Sequence, residues 1–389
     1  MTHAARRDGR GWATAAFTIV TCAVFLLLFL FLQQLWAVFA LLAAGIVIAV
    51  VAARCGLLAR ANAGFADHGR KTSALLVVAL LVVAGFFHNA PYPLLMLSTV
   101  LLFIAACLGL HIQSGYAGII NFAGAAFFGI GAYTTAVLSA HTAIPHLPVL
   151  AAGGVMAALI GSILILPVLR TYGYYEALVT IAFGILFRTF MEVNNTFGGP
   201  QGLTLPGLDL FGWSFNNSLS LGGIDISFYM NYLLLSLLLV VGGIAIVLRI
   251  ERSWVGLNLD AVRLDETAAK AFGISVARWK ITAFTLGNLL CGIAGGVYGM
   301  MQGFISPASF AFSDSLIMIS IIILGGIGNP WGVIPAAAII IMLPEKLQFI
   351  QEYRFLLYGI LVILILLFRP QGLMPRRLRA YFPGSEVRE

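Results

Sequence analysis

Long apolar runs recur along this whole chain, and they limit its fold more than any other feature. A bilayer's hydrocarbon core of about 30 Å takes roughly 17–25 helical residues to cross. Runs of that order lie at 14–32, 35–53, 74–90, 94–112, 116–140, 148–168, 174–193, 228–249, 279–302, 310–328, 331–350 and 354–369. Glycine and proline interrupt 310–328 and 331–350. Only 10% of the 389 residues are charged and 61% are hydrophobic, whereas a soluble domain averages about 25% charged residues. In lipid each crossing must close its own backbone hydrogen bonds. The expected fold is therefore all-α, a polytopic transmembrane helical bundle of about ten core spans plus two N-terminal spans.

Charge tests the topology independently. With the N-terminus inside and the sides alternating, every Lys and Arg falls inside except Arg188, within a span, and Lys346 and Arg354. The loop 194–227 has no base at all. That is the positive-inside bias, and it predicts both termini and the 250–278 loop to be cytoplasmic. The net charge of +7 thus serves topology. The bases punctuate span ends instead of forming a patch with interleaved aromatics, which excludes nucleic acid as a partner. Cys22, Cys55, Cys107 and Cys291 are scattered, and neither they nor the isolated histidines (His111 and His141 among them) have metal-ligand spacing. Neither disulfides nor a metal site is expected. The basic head and apolar body of residues 1–34 look like a signal peptide, but the apolar stretch is too long and lacks a convincing cleavage site. It reads as a retained first span.

The first two spans look like an appended hairpin followed by a polar linker, so residues 1–73 form one expected region. Residues 74–369 form the core and 370–389 a basic tail. Ten core spans divide five and five around 194–227, and an odd number per half would make an internal repeat inverted. The glycine-rich runs 115–131 and 287–303 are possible counterparts.

One stretch, "RLDETAAKAFGIS" at 263–275, is conspicuously polar in so apolar a chain. Asp265 can cap a helix N-terminus, Glu266 favours the positive end of its dipole and Gly273 suits a left-handed C-terminal cap. Such a helix is only about 10 Å long and is unstable alone in water. Ala268, Ala269 and Phe272 therefore need a packing partner, on this chain or another. The stretch is either a solvated loop or a docking knob whose small alanines permit close approach.

"DETAAKAFGI" looks like the EAA loop of ATP-binding-cassette importer permeases. The longer "RSWVGLNLDAVRLDETAAKAFGISVARWKITAF" resembles that loop in the branched-chain amino acid permease family, of the LivH/LivM type and nearer LivM. Further likenesses are "SGYAGIINFAGAAFFGIGAYTTAVL" (114–138), "YYEALVTIAFGILFRTFMEVNNTFGGPQGL" (174–203), "ILGGIGNPWGVIPAAAIIIMLPE" and "FRPQGLMP". The resemblance covers about 74–375. It implies a permease of a bacterial inner-membrane importer, moving branched-chain amino acids by alternating access. It also implies a LivH-like second permease, two ATP-binding subunits and a periplasmic substrate-binding protein as partners. By that likeness Asp265, Glu266, Ala268, Ala269, Phe272 and Gly273 form the coupling helix to the ATPase. The chain has no G-x-x-x-x-G-K-[ST] loop, so no cofactor is expected on it and ATP-Mg belongs to the partner subunits. No enzymatic cluster is evident either.

Other candidates are open between packing and function. The glycines of 115–131 permit close helix packing, as in Ala125-xxx-Gly129, or break a helix whose freed backbone, with Tyr116 and Asn121, lines the pathway. Gly292, Gly295, Gly296, Gly299 and Gly303 read as packing. Glu176, Thr180 and Arg188 are pathway candidates on 174–193, although snorkelling of Glu176 and an Arg188–Glu192 pair explain both charges. Here the chain departs from the family, with Ile185 where an acid is common after AFG. Gly198, Gly199, Pro200 and Gly202 mark the 194–227 loop as a docking surface for the binding protein. Urea or amide import by the same family, and a stand-alone proton-coupled carrier using Glu176 and Arg188, are the alternatives.

Overall fold

The computed structural model describes residues 2–32, 34–54, 69–142, 144–171, 174–210, 212–221, 224–347, 353, 356, 359, 360, 363, 367, 372–374 and 376. Most of the expected linker after the second span, including Cys55, lies outside these residues. So do most of the 354–369 span and most of the basic tail. Each apolar run from 14–32 to 331–350 is occupied by a helix. Among the described residues, six helices are long and apolar enough to cross a membrane.

The chain divides into two compact units, Met1–Leu97 with Ser218–Met230, and Ser98–Asn217 with Asn231–Glu389. The first contains α1 (Thr2–Phe31), α2 (Leu35–Arg54), α3 (Gly69–Phe86) and the start of α4 (Pro91–His111). Here α3, whose apolar run opens the expected core, packs on α1, with the rings of Phe31 and Phe86 edge to face at 6.2 Å. Its apolar face, including Val83 and Ala84, is buried. A short antiparallel hairpin, Leu219–Leu221 with Ile224–Ile226, completes this unit.

The second unit holds the rest of α4, then α5 (Gly124–His141), α6 (His146–Val168), α7 (Tyr174–Val193) and most of α8 (Tyr229–Glu251). The short α9 (Trp254–Leu264) and α10 (Glu266–Ala271) precede α11 (Val276–Gln302), α12 (Phe312–Gly325) and α13 (Pro330–Lys346). At its centre α11 packs chiefly on α5 and α6. Where lipid offers no hydrophobic contrast, helices associate through close van der Waals contact, which small residues allow. A methyl group on Gly131 of α5 would overlap the Gly292 carbonyl of α11, and one on Gly295 would overlap that of Phe128. Gly109 of α4 and Gly287 of α11 exclude a side chain on each other in the same way. Packing is thus the role of Gly292, Gly295, Gly296 and Gly299. Gly303 differs. It adopts φ +68° and ends α11 by donating its N–H to the Gly299 carbonyl at 3.0 Å.

Of the two readings left open for 115–131, both apply in part: the helix is broken at 112–123, and packing holds beyond it. A π-turn at Ile112–Tyr116 ends α4, Gly118 turns at φ +73°, and regular helix resumes at Gly124. Gly124, Gly129 and Gly131 are packing positions within α5.

Beyond α7 the chain makes two 3-10 turns, Asn195–Phe197 and Gly199–Gln201, through left-handed Gly198, Gly199 and Gly202. Leu203–Thr204 then pairs antiparallel with Phe304–Ile305, which follows α11. A second hairpin joins Asp209–Leu210 to Trp213–Ser214.

Candidate functional site

At the end of the bundle where α7 and α11 begin, α9 and α10 form the polar insert. Asp265 caps α10 as its chemistry requires, with Oδ1 accepting from the amides of Thr267 (2.8 Å) and Ala268 (3.0 Å). Gly273 is left-handed at φ +78°. The expected packing partner lies on this chain, and only one face of α10 uses it. Ala269 is 3% exposed and packs with Val262 and Val276, against which Ile274 and Trp279 rest. The Trp279 ring meets that of Trp254 edge to face at 5.2 Å.

The outward face is different from the six residues the sequence singled out. Leu264 is 80% and Phe272 86% exposed, and Ala268 lies between them, also exposed. Ala268 and Phe272, one turn apart, lie on one side of α10, and Leu264, the last residue of α9, is exposed just before it. Asp265 and Gly273 serve the helix ends, and Ala269 is turned inward. Glu266 is also tied to its own chain, because its carboxylate binds the Lys280 ammonium at 2.7 Å.

Lys280 was not anticipated. It sits one turn into α11, 4% exposed, and its Nζ also binds Glu176 of α7 at 2.9 Å. Glu176 is 8% exposed, so it is paired within the protein instead of snorkelling. A lone lysine at the start of an apolar span was the available signal, since a buried amine demands partners. Arg188 forms the expected pair with Glu192 at 2.8 Å, with both side chains partly exposed.

The interruption at 112–123 satisfies its freed backbone through side chains of several other elements. Arg263 of α9 donates to the Gly115 carbonyl at 2.6 Å, and Arg376 reaches the same oxygen at 3.3 Å. Arg376 also pairs with Asp260 and lies over the Tyr116 ring, 5.1 Å from its centre. Burial pushes the Arg263 guanidinium down from its ordinary value; the Arg376 charge adds to this, while Asp260 and Tyr116 oppose it. The Phe122 amide donates to Thr180 Oγ1 at 3.1 Å and the Ala125 amide to Ser315 Oγ at 3.0 Å.

Asn121, expected along a pathway, is 4% exposed and belongs to a buried amide network. Its Nδ2 donates to Gln113 Oε1 at 2.8 Å, and Gln113 Nε2 donates to Asn288 Oδ1 at 2.9 Å. Tyr116 and Thr180 are fully buried as well. Asn121 therefore joins the interruption to α11. Gln113 and Asn288 were missed because 175 residues separate them. Of the outer-loop candidates, Gly199 is buried and Pro200 exposed, while a side chain on Gly198 or Gly202 would overlap backbone carbonyls.

Removing the α10 cap has a definite expected result. Asp265→Ala costs about 1 kcal/mol, as for other N-cap losses, and should speed hydrogen exchange at the Thr267 and Ala268 amides roughly fivefold. Unchanged exchange would refute the cap's role.

Apolar helices with internally closed backbones, packed around a glycine-lined centre, define an all-α, multi-pass membrane protein. The model for the family described as branched-chain amino acid transport system, permease component, matches residues 92–366. This chain belongs to that permease family. It is 36% identical over 318 residues to the high-affinity branched-chain amino acid transport system permease protein LivM of Escherichia coli (strain K12), covering 77% of this chain and 75% of the relative. It is 35% identical to the LivM protein of Salmonella typhimurium, covering 78% of this chain and 74% of that one. The probable LivM of Methanocaldococcus jannaschii is 26% identical, over 71% and 91% of the two chains. No solved structure matches.

Proposed function

We propose that this chain is a permease subunit of an ATP-binding-cassette importer for branched-chain amino acids, working by alternating access. Its membership of the permease family and the cargo in its relatives' names support that cargo. The observation that carries the mechanism is the capped helix α10, which leaves Ala268, its C-cap Phe272 and the preceding Leu264 of α9 exposed. Exposed apolar side chains on a polar element mark a surface that a partner covers, and two separate ATP-binding subunits are the partners that such an importer needs.

In this reading twelve spans cross a bacterial inner membrane, ten in the core and two before it, with 1–73, 74–369 and 370–389 as the regions. Both termini and the 250–278 loop are cytoplasmic, and basic residues placed on that side favour this. A second, LivH-like permease completes the pathway, and a periplasmic binding protein docks on 194–227, around Gly198, Gly199, Pro200 and Gly202. ATP-Mg is held by the partner subunits and none by this chain. A proton-coupled carrier is disfavoured because Glu176 and Arg188 are each engaged in an ion pair.

Reconstitution in vesicles with the sister permease, ATPase subunits and binding protein tests the reading. Leucine uptake should require ATP and all four components. Uptake by this chain alone on a proton gradient, with no response to ATP, would sink it.

A further inference from the structure

The interaction between Lys280 and two carboxylates on different helices calls for a role beyond docking. Lys280 Nζ contacts Glu266 on α10 at 2.7 Å and Glu176 on α7 at 2.9 Å, and itself belongs to α11. One ammonium thus joins the outward-facing helix to the first turns of two long helices. One turn beyond Glu176, Thr180 holds the Phe122 amide of the interrupted segment. From Phe122 the chain runs directly to Asn121 and the amide network on α11. Polar contacts joined by one turn of α7 therefore lead from α10 to the break between α4 and α5.

We propose that Lys280 is a positioning residue that transmits movement of α10 to α7 and α11, separately from the docking of the ATPase. This rests on the reading of α10 as the ATPase contact. Charges bring two properties here that apolar contact lacks. Attraction between opposite charges falls slowly with distance, and Lys280 and Glu176 are both shielded from water, so parting those two leaves an uncompensated buried charge. When a partner shifts α10, Glu266 draws Lys280 with it, and Glu176 must follow. The lysine is suited to this because its flexible stem ends in a compact group with three donors. It holds two carboxylates and can swing without releasing either. Leu264, Ala268 and Phe272 are exposed and take no part in these ion pairs, so docking and transmission use different residues of the insert.

The test uses the reconstituted complex and three readouts: ATPase subunits co-purified, ATP hydrolysed, and leucine moved per ATP. Lys280→Met should leave association within twofold of wild type and lower leucine moved per ATP at least tenfold. Lys280→Arg should retain most of the coupling. The combined reversal Glu176→Lys, Lys280→Glu, Glu266→Lys restores both attractions with signs exchanged, and should recover coupling well above Lys280→Met. If Lys280→Met does not fold, Glu176→Gln supplies the same test, because the Lys280–Glu266 pair survives in it. Wild-type coupling in a folded variant lacking either contact overturns the proposal. So does loss of ATPase association from folded Lys280→Met, which would make Lys280 part of the docking surface. Failure of the underlying reading is distinguishable, since wild type itself would then retain no ATPase subunits.

Discussion

Gly292→Val is expected to leave little folded protein, whereas Gly242→Val in α8 should be nearly silent. Both glycines lie in long apolar helices, yet their surroundings are opposite. A Cβ at Gly292 would stand 2.6 Å from the Ala157 Cβ, 2.9 Å from the Gly153 carbonyl oxygen and 3.0 Å from the Gly154 Cα. Two of those atoms are backbone, so no rotamer change relieves the overlap and α6 must move off α11. Overpacking of a close core costs about 1–3 kcal/mol and sometimes more. A loss of 3 kcal/mol lowers the folding equilibrium roughly 150-fold. No atom lies within 4 Å of a Cβ at Gly242. Monodisperse protein recovered in detergent and its thermal midpoint compare the two variants. Equal recovery would show that α11 does not depend on glycine contacts.

Leu264→Glu combined with Phe272→Glu should abolish retention of the ATPase subunits while sparing the permease itself. Both side chains are largely exposed, and exposed substitutions usually alter stability by no more than about 0.5 kcal/mol. Buried apolar anchors at an interface contribute about 2 kcal/mol or more each. Losing two weakens association on the order of a thousandfold. Ala269→Glu, on the opposite face, should instead disturb the fold, because it places a charge between Val262 and Val276. Co-purification at wild-type yield by the double variant would remove Leu264 and Phe272 from the interface.

Local chemistry was the legible part of the sequence. The apolar runs marked the helices because bilayer thickness imposes their length, and Asp265 and Gly273 revealed both ends of α10 because caps are read within a few residues. The Arg188–Glu192 pair is one turn apart and equally visible. What sequence reasoning missed lies between elements. Glu176 and Lys280 are 104 residues apart, and only tertiary packing shows that one neutralises the other. The same holds for the direction of Ala269, which is settled by Val262 and Val276. Glycine spacing left packing and interruption equally open, and it is Arg263, Thr180 and Ser315 that meet the break by accepting or supplying the hydrogen bonds it releases.

The pairing of Leu203–Thr204 with Phe304–Ile305 has a mechanical consequence. It clasps the segment beyond α7 to the segment beyond α11 by backbone, and the Leu205 amide extends it by donating to the Gly303 carbonyl at 2.9 Å. At the opposite end the polar ties are long side chains, those of Lys280, Arg263 and Arg376, beside the apolar cluster of Val262, Ala269 and Val276. Backbone ladders resist shear, while long side chains swing. If α10 is the ATPase contact proposed above, a load applied there is expected to tilt α11 about the clasp more readily than to slide it along its axis. The 27 residues of α11 make a lever about 40 Å long. A rotation of about 5° moves its far end roughly 3.5 Å, with almost no displacement beside the clasp.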